Sequence, residues 1–231
     1  MRRPPPRLVW PAGLFLGGLL LGFLLRGGVP TPPARPGGAG APAVPTATPA
    51  EKALCAVRPA PEKPITKDHH WPEGRESSVC GAIRLDDFSA GRDLVYVDDP
   101  TVWWESDQDA KENDIEDDHT MNVALEPAFR RLVALLATEK PDLQLRVQEC
   151  FRAAGVHSAR SLHAEGRAID VTVGRKDGTR LPASETEAAY TELAAFCWRA
   201  GFDWVYFENA TGTGPHVHAS VKRAAPGKDT P

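Results

Sequence analysis

The sequence predicts an α+β fold in which an antiparallel sheet packs against helices, and three observations carry that prediction. Strand-like and helix-like segments are mixed along the chain without strict alternation, so a doubly wound parallel sheet fits less well. Residues 122–138 place Leu125, Phe129, Leu132, Val133 and Leu136 at helical intervals. Leu143, Leu145 and Val147 then alternate with polar residues, as a half-buried strand does.

The elements follow in order. Residues 8–25 form an uncharged apolar run behind Arg2, Arg3 and Arg7, closed by Arg26. At 18 residues it reaches the lower end of what spans a bilayer. The leading positive charge predicts a cytoplasmic N-terminus and an exported body. A single-pass anchor is expected, with a cleaved signal peptide as the competing reading. The body is therefore expected outside the cytoplasm, in the cell envelope or, after cleavage, in the secreted fraction. Residues 27–50 hold seven Pro and five Gly with one charge, Arg35, the composition of an extended linker.

Residues 51–231 constitute one domain, as a chain of 231 residues allows. No firm element is read between 51 and 92, and 94–97 is a short strand. Residues 105–118 carry eight acids and one Lys, either a solvated loop or a cation site. The helix over 122–138 tolerates Pro127 only in its first turn, and the sequence Lys140, Pro141, Asp142 breaks it. A second strand covers 168–173. A capping box from Ser184 to Glu187 opens a helix over 185–200, which Gly201 closes. Residues 204–207 and 216–221 are two further strands.

The net charge of −4 conceals an asymmetry: the first 50 residues hold five of the 27 basic groups and no acid, leaving 22 against 31 acids. An acidic body argues against a nucleic-acid partner. Four Cys in an exported chain permit two disulfides, with Cys55 to Cys80 preferred, and the lack of a CxxC argues against a Cys-based metal site.

The chemistry concentrates in SLHAEGRAID, residues 161–170, and in the pair His216 and His218. His163 and Asp170 lie seven apart across Gly166, so a tight turn brings one side chain from each arm together. His216 and His218 share one strand face, and one of them completes an N, N, O set around Zn2+ with a fourth position open. Glu208, at the end of the apolar strand before the His pair, has the character of a general base for a metal-bound water.

Together, SLHAEGRAID, AGFDWVYFE and GPHVHASVK resemble the zinc D-Ala-D-Ala carboxypeptidase family, which includes vancomycin-resistance dipeptidases and bacterial relatives of the Hedgehog signalling domain. The resemblance spans about residues 110 to 223. It implies one Zn2+ on His163, Asp170 and His218, Glu208 as catalytic base, and His216 assisting beside the metal. It also implies that Arg152 stabilises a substrate oxyanion, with His157 and Ser161 as substrate or outer-shell neighbours. The Hedgehog domain's calcium acids are matched by Glu112, Asp118 and Glu149, while Arg152 and Ala154 replace two others, which weakens a Ca2+ site. The expectation is a zinc peptidase, endo- or carboxypeptidase, acting on peptidoglycan stem peptides. A zinc-containing Hedgehog-like binding module without hydrolysis is the alternative.

Overall fold

Period-two patterning builds the centre of the molecule. In the computed structural model, which describes residues 57–107, 116–153, 160–210 and 214–224, strand β8 (Ala168–Arg175) buries Ile169, Val171 and Val173 in the main core. Successive strand side chains point to opposite faces, so Ala168, Asp170 and Thr172 turn the other way. The remaining elements, in chain order, are β1 (His70–Trp71), α1 (Glu76–Val79), α2 (Ala90–Asp93), β2 (Leu94–Tyr96), β3 (Trp103–Trp104), β4 (Glu116–Asp117) and β5 (Thr120–Asn122). There follow α3 (Glu126–Glu139), β6 (Leu143–Glu149), β7 (Phe151–Arg152), a 3-10 turn (Leu162–Glu165), α4 (Ala183–Ala200), β9 (Trp204–Ala210) and β10 (Gly214–Ser220).

Six strands form one sheet in the order β1, β9, β10, β8, β6, β3. All its pairings are antiparallel except the edge pair β3 and β6. The mixed α+β class is therefore observed, and a purely antiparallel sheet is corrected at that one edge. Helices α3 and α4 cover one face, where Phe129, Leu132, Leu136, Leu193, Ala194 and Cys197 pack with Leu145, Val171, Phe207 and Val217. Continuous apolar burial of this kind is the main stabilising term. The opposite face carries the polar alternates of the same strands, and a smaller cluster of Cys80, Leu162, Ala168 and Trp204 closes one end of it.

Several expectations are adjusted. Helix α3 begins at Glu126, with Pro127 in its first turn where a missing N–H costs nothing. Asn122 instead ends β5; its side-chain oxygen accepts from Ala124 N–H (3.0 Å) and its amide donates to the Glu165 carbonyl (2.9 Å). Helix α4 begins at Ala183, which puts Ser184 inside it, and no side chain caps its N-terminus. Gly201 closes α4 with φ 105°, as expected. The stretch 51–92 carries β1, α1 and α2. Cys80 and Cys197 are buried free thiols, so the Cys55 to Cys80 bridge is not formed; Cys80 Sγ packs 3.4 Å from Ser220 Oγ instead. Among the described residues no helix is long and apolar enough to cross a membrane, and the anchor expected at 8–25 lies outside them.

Candidate metal centre

Three elements deliver the site. The 3-10 turn presents His163: Ser161 Oγ accepts the His163 backbone N–H (3.3 Å) at its start, and Gly166 ends it in the left-handed region at φ 63°. Strand β8 presents Asp170, and β10 presents His218 directly opposite it in register. The ligand-type atoms of His163, Asp170 and His218 all lie within 4.8 Å of one another.

Two edges of the triangle match those of a tetrahedral zinc site and the third is shorter. His163 Nε2 is 3.4 Å from His218 Nδ1 and 3.5 Å from Asp170 Oδ1, and His218 Nδ1 is 2.8 Å from Asp170 Oδ1. Tetrahedral zinc with bonds of about 2.0–2.1 Å sets ligand edges of about 3.3 Å, so a modest opening of the His218–Asp170 edge admits the ion. The outer nitrogens agree. His163 Nδ1 donates to the Cys150 carbonyl (2.8 Å), and His218 Nε2 donates to Glu76 Oε1 (2.7 Å). Each bond places a proton on the outer nitrogen and leaves the inner one to serve as a ligand.

Electrostatics follow the same geometry. Burial opposes charge on His218, but the Asp170 and Glu76 carboxylates prevail and hold its imidazole well above its ordinary value. Burial likewise opposes charge on His163, and Asp170 raises it. Asp170 is held well below the usual carboxylate range: burial works against ionisation, and the two imidazoles overcome it.

The other expected residues fall at different distances from this centre. His216 is buried beside the set, its Nε2 3.5 Å from Asp170 Oδ2 and 3.6 Å from Glu208 Oε2, while Nδ1 donates to the Gly214 carbonyl (3.1 Å). Glu208 pairs with His216 across β9 and β10 and is 37% exposed at the rim. Arg152 lies 3.7 Å from Glu149, and Glu149 in turn lies 3.4 Å from His163 Nδ1. Of the calcium-type acids, Asp118 is buried and accepts the Ser106 N–H at 2.8 Å, with its carboxyl pushed up to about 7 by desolvation. Glu112, Ala154 and His157 lie outside the described residues. His70, Trp204 and Tyr206 form an aromatic shelf at one end, with Trp204 5.2 Å from His70 and 5.9 Å from His218 between ring centroids.

Two residues escaped the sequence reading. Glu76 stands 142 positions from His218 in a stretch without periodicity, and nothing local marks it. Arg167 lies inside the SLHAEGRAID segment, yet its role is visible only in the fold, where it is fully buried and ion-paired to Glu165 at 2.6 Å.

The Hedgehog amino-terminal signalling domain family matches residues 49–220. Indian hedgehog B protein of Danio rerio is 43% identical over 82 residues, 36% of this chain and 17% of that protein. Indian hedgehog protein of Gallus gallus is 35% identical over 105 residues, 46% of this chain and 22% of that protein. Sonic hedgehog protein of Danio rerio is 33% identical over the same length and shares. The chain thus spans about a fifth of the length of the curated relatives it matches.

These matches correct the expected activity. They are to a signalling domain, and they extend through residues 51–110, which the carboxypeptidase resemblance left out. The expected hydrolase, a D-Ala-D-Ala carboxypeptidase or other peptidase, is therefore overturned, and peptidoglycan stem peptides fall with it as partners.

Proposed function

Because the chain belongs to the Hedgehog amino-terminal signalling domain family, we propose that it is a recognition module in which one Zn2+, held by His163, Asp170 and His218, organises a protein-binding face. The observation that carries this reading is the convergence of those three side chains on the sheet face that the helices leave open. Zinc, when bound, supplies a fixed positive charge with a coordination position open toward the partner. The chain's own residues do the rest. Asp170 and His218 tie β8 to β10, and His163 ties the 3-10 turn to both. The shelf of His70, Trp204 and Tyr206 offers aromatic surface of the kind that dominates binding energy at interfaces. Glu208 is a polar rim group and His216 its buried neighbour. The face is presented outside the cytoplasm, behind the apolar run of residues 8–25, whether that run stays as an anchor or is removed.

The test is retention of a protein from an array of exported and cell-surface proteins by the immobilised full chain. The zinc-loaded chain retains a partner that the chelator-stripped chain and His218→Ala do not, and Tyr206→Ala retains it more weakly. Equal retention by the stripped and loaded chains contradicts the role given to the metal, and no retention by the loaded chain contradicts the recognition role.

A further inference from the structure

The two imidazoles of the centre are backed differently: His163 Nδ1 donates to the Cys150 carbonyl at 2.8 Å with the Glu149 carboxylate farther off at 3.4 Å, whereas His218 Nε2 donates directly to the carboxylate of Glu76 at 2.7 Å. Glu76 comes from a segment remote in sequence, and that segment is fastened to the sheet on both sides of it. Trp204 Nε1 donates to the Gly74 carbonyl (2.9 Å) before Glu76. After it, Arg167 Nη1 donates to the Cys80 carbonyl (2.8 Å) and Nη2 to the Gly81 carbonyl (3.3 Å). Val79 and Cys80 pack against Leu162, Ala168 and Trp204 between these points. Arg167 follows Gly166 in the segment that also supplies His163 and Asp170, so one short stretch both provides ligands and grips the strap.

We propose that residues 74–82 are a strap that sets Glu76 as the outer-sphere carboxylate of His218, making Glu76 a positioning residue for zinc affinity. This rests on the zinc reading above. A carboxylate accepting from Nε2–H fixes the ring orientation, keeps the Nδ1 lone pair pointed at the metal and increases the basicity of that nitrogen. Glu76 itself is held below the usual carboxylate range: burial opposes its charge and the hydrogen bond from His218 prevails.

The experiment measures the zinc Kd of the full chain by chelator competition, with zinc alone as the probe, alongside the melting temperature of the chelator-stripped protein. Loss of an outer-sphere carboxylate weakens metal binding about 10–100-fold, so Glu76→Ala should fall in that range. Glu76→Gln, which keeps an acceptor oxygen and loses the charge, should lie between it and the parent. Trp204→Phe, which removes the Gly74 tether together with part of the ring packed beside His70 and His218, should also weaken zinc, by less than Glu76→Ala. A Glu76→Ala variant with lowered melting temperature and a zinc Kd within about twofold of the parent makes the residue merely structural and overturns the inference. Failure of the parent chain to bind zinc overturns the site reading itself, and the inference with it.

Discussion

Replacing Arg167 by Met probes the grip that SLHAEGRAID exerts on the rest of the domain. Arg167 and Glu165 side chains are each 1% exposed and meet at 2.6 Å. Removing one partner of a buried, hydrogen-bonded ion pair costs about 3–5 kcal/mol, because the other charge stays desolvated. The carbonyls of Cys80 and Val221 also lose their donor at 2.8 and 3.0 Å. Glu165 keeps the Arg84 N–H at 2.6 Å and the Arg223 guanidinium, which offsets part of the loss. The expected destabilisation is therefore about 3–4 kcal/mol. For a domain of this size, that corresponds to roughly 6–16 °C of melting temperature. Denaturant unfolding followed by circular dichroism measures it. The double variant Arg167→Met with Glu165→Met should recover part of the loss, since it removes the stranded Glu165 charge while leaving the Arg84 N–H and the Arg223 guanidinium without their acceptor. A single variant costing under about 1 kcal/mol, or a double variant no better than the single, refutes the ion-pair reasoning.

Two further predictions follow from the same geometry. Gly166→Ala forces a Cβ to within 2.8 Å of Leu94 Cδ2 and 2.9 Å of the Asn122 nitrogen at φ 63°, so it should lower stability by about 2–4 kcal/mol in a thermal melt; an unchanged melt contradicts the turn geometry. For pH, His218 and His163 are raised in the fold, so their charged pairing with Asp170 contributes stability below the unfolded imidazole value near 6.5 and loses it as pH rises through the raised values. Zinc needs the same nitrogens unprotonated. The chelator-stripped chain should therefore melt lower as pH goes from neutral to alkaline, while zinc affinity rises over the same interval; calorimetry that finds affinity independent of pH contradicts the assignment of His218 Nδ1 as a ligand.

How far the sequence could be read depended on whether each signal was local. Phe129, Leu132 and Leu136 repeat at helical spacing and are buried in α3, and Leu125 is buried at its N-cap, as that spacing implies. Leu145 and Val147, like Val205 and Phe207, mark core faces for the same reason. His163, Asp170 and His218 were legible because a turn glycine and a strand register bring short sequence patterns together. The segment 51–92 was not, since β1, α1 and α2 are too short to show a period and are held by tertiary bonds such as Trp204 to Gly74. Glu76 was invisible for that reason. Ser184 misled because local capping chemistry lost to a helix start at Ala183, two residues before the expected one. The hydrolase expectation failed at another level: Glu208 and Arg152 fit a catalytic pattern by residue type, but Arg152 pairs with Glu149, and the family the whole domain matches is a signalling one.

The most direct test of the central claim is the metal content of the purified full chain by elemental mass spectrometry. The account predicts about one zinc per chain in the parent and close to none in Asp170→Ala. A parent chain that stays metal-free after zinc loading, or an Asp170→Ala chain that holds zinc as firmly as the parent, would contradict it.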